Sequence, residues 1–382
     1  MNYSFLSPIF SWIEKKAGHS FYPYILTVTL VLLSLFFATP RYLYLDSMPE
    51  IKEGWEIVTL KSKDLTNSLT HLKADSHSAK TVFRLTVPVF VKLFSANQVV
   101  TYFIQFILGF VLLFNIYKIS NKIFENVISA TLVTSGIVFL YFGRACFVDF
   151  TWYDGWAFFA LIMALSVRNV WVMSFFCLMA AWTDERALIV LPIIMLFKQI
   201  ENNKSGDFSL KNLYKLNKST LFVLSSIILY FVIRGTLMLF YNMHTPNASA
   251  DLATLKMNLP VIGIGLWTFF EGFWLVILVA LAYMIYSKSY MLALFITLQI
   301  IISSLVSFSV FDITRSGSYL APLLFVMFIY LKGKMEIKEI NSLLFTGFLL
   351  TFLFPAYYII GTLGMYQPIY FEVLNFLLNK TL

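Results

Sequence analysis

The chain has 382 residues, of which 59% are hydrophobic and only 13% charged, with a mean hydropathy of +0.78. A soluble domain carries about 25% charged residues, so this composition excludes water as the solvent along most of the chain. The formal net charge of +8 follows from lysines and arginines in the polar links between apolar runs, and nucleic-acid binding is not implied.

Taken in chain order, residues 1–20 hold an amphipathic segment, 5–16, whose Phe5, Phe10, Trp12, Lys15 and Lys16 read as an interfacial helix on the cytoplasmic face. The start of the chain is polar and aromatic rather than basic, and does not read as a cleavable signal peptide. A spanning helix needs roughly 20 apolar residues. On that scale the reading is an all-α polytopic membrane protein with up to eleven membrane helices. They are placed at 22–39, 97–117, 124–143, 152–167, 170–182, 186–198, 219–241, 259–286, 289–309, 318–331 and 341–362. Helix is the expected form because lipid offers no partner to backbone polar groups.

The runs at 152–167, 170–182 and 186–198 are short, each about 20–24 Å long as helix. They read as spans of a thinned region, or 170–198 as a hairpin that dips in and returns. Either way the polar turns at their outer ends sit in a recessed groove. Residues 40–96 form a long first outer loop with short helices, and 199–218 a polar cytoplasmic connector. No internal repeat or separate soluble domain is visible, so 1–382 is one membrane-embedded domain.

Short loops on the cytoplasmic side collect lysine and arginine. With the N-terminus inside, Lys15, Lys16, Lys118, Lys122, Arg168, Lys198, Lys288, Lys332, Lys334 and Lys338 fall on that side, which predicts N-in and C-out. Most acids then fall outside, several in apolar or aromatic sequence where a charge is expensive and a functional role is the reasonable reading.

Five clusters stand out. Asp46 follows the first helix among Tyr42, Tyr44, Glu50 and Glu53, placed as a general base towards an acceptor hydroxyl. In 75–88, read as helix, His77, Lys80 and Arg84 share a face able to hold a lipid phosphate, or simply form an amphipathic surface. Arg144, Asp149, Tyr153 and Asp154 lie in one aromatic stretch, and Asp184, Glu185 and Arg186 join two short helices. These two groups are groove residues or a structural salt-bridge network. Asp312 and Arg315 sit between two later helices, with Arg315 suited to bidentate phosphate recognition. Arg234 and Glu271 lie inside apolar runs and are expected to pair or face the groove. No Walker loop, dinucleotide fingerprint or HExxH is present. Cys146 and Cys177 offer no ligand spacing, and a divalent cation, Mg or Mn, is an option rather than a requirement.

This arrangement resembles the GT-C class of integral membrane glycosyltransferases, through its many helices, its long acidic first outer loop and its later charged outer turns. The resemblance implies transfer of a sugar from a polyprenyl-phosphate-linked donor to a glycan, lipid or protein acceptor on the outer face. It makes Asp46 the base, with Asp149, Asp154, Asp184 and Glu185 as alternatives, and Arg84, Arg186 or Arg315 the group that neutralises the donor phosphate. The Asp-X-Asp or adjacent Asp-Glu pair of stricter members is absent after helix one, as is a large C-terminal soluble domain. Rival readings are a polymerase or ligase of lipid-linked glycans, which calls for a larger late outer loop than this sequence shows, and a transporter or flippase, which calls for polar residues through the bilayer depth where here, Arg234 and Glu271 excepted, most charges lie at one face. The Lys-, Ile-, Phe- and Asn-rich composition points to a bacterial inner membrane, with the site facing the periplasm or exterior.

Overall fold

Backbone amides and carbonyls find no water in hydrocarbon, so a chain this apolar must satisfy them within its own helices. A computed structural model describes residues 7–37, 49–69, 81–149, 153–202, 217–244, 252–353, 357–360 and 362–365. The elements begin with α1 (Ser7–Ala17), α2 (Tyr22–Phe37), α3 (Pro49–Lys63), α4 (Thr86–Phe94), α5 (Gln98–Phe124), α6 (Val127–Ile137) and α7 (Tyr141–Val148). There follow α8 (Asp154–Ser166), α9 (Val170–Thr183), α10 (Ala187–Asn202), α11 (Lys218–Tyr241), α12 (Leu252–Asn258), α13 (Ile262–Phe270) and α14 (Trp274–Tyr286). The last are α15 (Tyr290–Phe308), α16 (Ile313–Ser318), α17 (Leu323–Lys332), α18 (Ile337–Leu353) and a hairpin of β1 (Tyr357–Ile360) and β2 (Thr362–Met365).

Among the described residues four helical stretches are long and apolar enough to cross a membrane: Gln98–Phe124, Lys218–Tyr241, Leu252–Tyr286 and Tyr290–Phe308. The pair α6 and α7 makes a fifth if counted as one span. The chain is an α-helical integral membrane protein. The three short runs are separate helices of 13, 14 and 16 residues, α8 to α10.

Four expectations need correction. The run 124–143 is no straight helix: α6 and α7 meet at 59°. Gly143 permits the bend, since a Cβ there would lie 2.1 Å from the Ile137 carbonyl oxygen. The run 259–286 is broken by 3-10 turns at Leu259–Val261 and Glu271–Phe273. At the second break Gly272 crosses α18 so closely that a Cβ would lie 2.1 Å from the Gly347 carbonyl oxygen, and Thr351 Oγ1 accepts the Gly272 N–H at 3.0 Å. The run 341–362 ends as helix at Leu353 and is followed by the antiparallel hairpin, with Tyr358 opposite Gly364. Ile359 N–H donates to Thr314 Oγ1 at 3.1 Å, tying that hairpin to α16. Finally, Arg84 is not on a helix: Thr81–Phe83 is a turn, Arg84 and Leu85 are irregular, and α4 begins at Thr86.

Two ends of the bundle differ chemically. At one, the C-termini of α5, α8, α10 and α17 converge. Lysines cap their orphan carbonyls there: Lys198 Nζ donates to Leu165 O at 2.7 Å and Val167 O at 3.0 Å, and Lys332 Nζ to Phe124 O at 2.7 Å. The other end, a helix length of about 20 Å away along α8, gathers the start of α8, the α9–α10 turn and α16. That end holds Asp154, Asp184, Glu185 and Asp312.

Candidate functional site

The site begins with backbone. Asp154 opens α8, where the helix dipole favours a negative charge. The residue before it, Tyr153, is held at φ 62°, ψ 24°, a left-handed conformation that costs a non-glycine residue energy. Its ring stacks on Tyr102 at 6.0 Å and is buried, so packing keeps the strained turn in place.

The α9–α10 turn supplies the second acid. Asp184 Oδ1 accepts the Arg186 backbone N–H at 3.0 Å, closing a local turn. The same carboxylate takes the Arg186 guanidinium at two points, Nε to Oδ1 at 2.7 Å and Nη2 to Oδ2 at 2.5 Å. Arg84 Nη2 reaches Asp184 Oδ2 at 2.8 Å, and Arg315 Nη2 lies 3.7 Å from it. Burial by itself raises the Asp184 carboxyl, but Arg186, Arg84 and Arg315 outweigh it and hold the group well below the usual carboxylate range.

Asp154 is bound from the other side. Arg315 Nε approaches its Oδ2 at 2.5 Å and Arg186 Nη2 its Oδ1 at 3.5 Å. Tyr319 donates its hydroxyl to Oδ1 at 2.8 Å, and the Tyr141 hydroxyl oxygen lies 3.3 Å from Oδ2. Tyr141 donates to Asp149 Oδ2 at 2.8 Å, and Arg315 Nη1 to Asp312 Oδ2 at 3.1 Å. Arg186 Nη1 donates to Ser316 Oγ at 2.5 Å, and the guanidinium lies 5.0 Å from the Tyr319 ring centroid. Asp154, Asp184 and Arg315 are at most 2% exposed, whereas Glu185 is 35% exposed. Glu185 is therefore the carboxylate of this cluster that a substrate can reach without breaking the buried pairs.

The cluster brings together Arg84, Asp149, Asp154, Asp184, Glu185, Arg186, Asp312 and Arg315, with Tyr153 beside it. Arg144 belongs elsewhere: it is buried on α7 and is the cation acting on Glu271 at the break before α14. Arg234 turns to Tyr230, donating to its hydroxyl at 2.9 Å, and lies 4.2 Å above the Phe83 ring. Asp46, His77 and Lys80 lie outside the described residues. Sequence reading passed over Tyr141, Tyr319 and Ser316. For Tyr141 the signal was a polar tip inside an apolar run; Ser316 directly follows Arg315 and Tyr319 lies one helical turn after it.

Among the described residues no group of three His, Cys, Asp or Glu side chains is arranged to hold a metal ion. Asp154 and Asp184 direct their oxygens at guanidinium groups, which does not suit Mg or Mn.

Arg84 differs from Arg186 and Arg315 at one nitrogen, Nη1, which among the described residues has neither a hydrogen-bond partner nor a carboxylate in ion-pair range. Its Nη2 is committed to Asp184, but Nη1 and Nε have no hydrogen-bond partner among the described residues, and Nε lies 3.9 Å from Glu185. Arg84 lines a cavity of about 30 Å³ with Thr81, Tyr153 and Thr183. The next two residues, Leu85 and Thr86, line an apolar groove of about 460 Å³ between α4, α9 and α11, walled by Phe90, Trp156, Leu178 and Trp182. The backbone fixes this seam, Leu85 N–H donating to Trp182 O at 2.8 Å and Thr86 Oγ1 to Met179 O at 2.9 Å. Trp156 Nε1 is buried in the groove wall with no hydrogen-bond partner among the described residues. Neither a family model, nor a curated protein, nor a solved structure matches the chain.

Proposed function

We propose that the chain is a GT-C-like glycosyltransferase that moves a sugar from a polyprenyl-phosphate-linked donor to a glycan, lipid or protein acceptor. In this reading it has about eleven membrane helices, short or re-entrant ones included, with N-in and C-out. It resides in a bacterial inner membrane with the acidic end facing the periplasm. One observation carries the proposal: Arg84, whose Nη1 has no hydrogen-bond partner among the described residues, immediately precedes Leu85 and Thr86, which line a lipid-sized apolar groove. The groove takes the isoprenoid chain, and Arg84 takes the phosphate as negative charge develops on it during transfer. Asp154, Asp184, Arg186 and Arg315 are the scaffold that fixes Arg84. Glu185 and Asp46 are the carboxylates assigned to deprotonate the acceptor.

The test is transfer of labelled sugar from a panel of polyprenyl-phosphate donors by purified wild-type protein, Arg84→Gln, Glu185→Gln and Asp46→Asn. Transfer by wild type, with loss in Arg84→Gln and in one carboxylate variant, supports the assignment. A folded wild-type protein that neither consumes nor binds any donor overturns it.

A second reading, transport of a lipid-linked substrate, is favoured by one feature. Glu271 is 2% exposed at a break within the Leu252–Tyr286 stretch, at φ 45°, and Arg144 acts on it from the bent α6–α7 pair. Discontinuous helices carrying charges at depth are features of transporters. Movement of a labelled lipid across proteoliposomes without sugar transfer selects this reading.

A further inference from the structure

The lysine-capped end of the bundle holds a cavity that the proposed chemistry does not use. The C-termini of α5, α8, α10 and α17 enclose about 290 Å³, with Ile119, Phe197 and Ile329 among the apolar walls and Lys122, Lys332 and Glu201 among the polar ones. Lys122 is half exposed, and Lys332 is exposed.

Charge decides what fits. Glu201 is paired with Lys122 and, at 3.3 Å, with Lys198. Three lysines thus stand against one glutamate. Three of the carbonyls at these helix ends are already engaged, Leu165 O and Val167 O by Lys198 and Phe124 O by Lys332. An ammonium has three N–H donors. Lys122 spends one on Glu201 and Lys332 one on Phe124, so both retain donors for a ligand. Basic pockets between membrane helices are suited to anionic lipid headgroups. A free anion would leave the apolar walls unused.

We infer that this cavity binds the phosphodiester headgroup of an anionic phospholipid, with Lys122 and Lys332 on the phosphate and the apolar walls against the start of the acyl chains. The site is independent of the glycosyltransferase reading and of which leaflet this end faces.

The experiment measures the thermal midpoint of full-length protein in neutral detergent against added phosphatidylglycerol, phosphatidylcholine or inorganic phosphate. Four proteins are compared: wild type, Lys122→Gln/Lys332→Gln, Ser166→Phe, and the surface control Lys15→Gln/Lys16→Gln. Ser166 lines the cavity, so Ser166→Phe fills it while leaving both lysines in place. The expected result is a saturable upward shift with phosphatidylglycerol alone, in wild type and in the surface control. Each cation near an anionic lipid contributes a factor of about five. The apparent affinity should therefore fall about 25-fold in the double lysine variant, and binding should be lost in Ser166→Phe. An undiminished shift in Ser166→Phe shows surface electrostatics and overturns the site, even if the double variant does not fold. An equal shift with inorganic phosphate overturns the lipid assignment in favour of a soluble anion.

Discussion

Asp184 and Arg186 stand two residues apart in one turn and grip each other along a full guanidinium edge, Nε to Oδ1 at 2.7 Å and Nη2 to Oδ2 at 2.5 Å. Asp184 also receives Arg84, so its single carboxylate organises cations from two segments of the chain. Removing one partner of a buried ion pair leaves an uncompensated charge and costs about 3–5 kcal/mol. Asp184→Ala is expected to lose stability of that order in a thermal melt. Arg186→Lys keeps the charge but not the fork, and its cost should be about 1.5–3 kcal/mol, that of a charge-assisted hydrogen bond. Equal melting of Asp184→Ala and wild type would show that the network contributes nothing to the fold.

The same carboxylate sets a pH dependence. Its arginine neighbours hold Asp184 well below the usual carboxylate range, and the unfolded chain takes up a proton near pH 3.9. The stabilisation is therefore complete above about pH 5 and is lost as pH falls below about 4 towards the folded value. The gap in melting temperature between wild type and Asp184→Asn should stay constant from pH 8 to 5 and close only in stronger acid. A gap that closes near pH 6 would contradict this account.

How legible was all this? Long uninterrupted runs such as those of α5, α11 and α15 were plain, because hydropathy alone decides them. The Asp184–Arg186 pair was legible as a cluster because both residues lie in one turn. Tyr319 and Asp154 are 165 residues apart, and no spacing rule reaches that far. The break at Glu271 was hidden for the same reason, since it depends on Gly272 meeting Gly347 and Thr351, 79 residues beyond Gly272 in the latter case. The helical stripe through His77, Lys80 and Arg84 assumed one continuous helix, and Arg84 lies in an irregular link. That link lets its guanidinium reach Asp184.

Lys61 offers a second pH test outside the spans. It is fully buried on α3, donating to Asn67 O at 2.9 Å. Burial pushes its ammonium down to about 8, against the opposing pull of Asp64. Between pH 8 and about 10.4, the ordinary lysine value, the unfolded chain binds more protons than the folded one, so stability rises with pH across that window. Lys61→Met removes the buried charge and should abolish the rise. A rise from pH 7.5 to 10 that is as steep in Lys61→Met as in wild type assigns it to another group.

The two halves of the broken Leu252–Tyr286 stretch meet α18 through glycine, which gives a paired stability experiment. A Cβ on Gly272 meets backbone, the Gly347 carbonyl oxygen at 2.1 Å, so Gly272→Ala must push α18 away and should cost about 1–3 kcal/mol or more. On α11 a Cβ at Gly235 meets nothing within 4 Å. There alanine only improves helix propensity, and a gain of up to about 1 kcal/mol is expected. If both variants melt together, the glycine crossing is not what breaks the helix.

Filling the apolar groove separates substrate binding from folding. Leu178 faces the groove from α9, and the groove has room for about 460 Å³. Leu178→Trp enlarges a side chain into open space rather than into packed core, so the melting temperature should move little. If an isoprenoid chain lies there, its displacement should lower sugar transfer more than tenfold through the apparent affinity for donor, because apolar area that the lipid would bury is taken by the indole. Arg84→Gln should act differently. Its contact with the phosphate strengthens as charge develops on the leaving group, so the turnover number falls along with affinity. A Leu178→Trp protein that is folded and fully active places the lipid elsewhere. Loss of turnover in Arg84→Gln with donor affinity intact would keep the arginine at the reacting phosphate while detaching it from the groove.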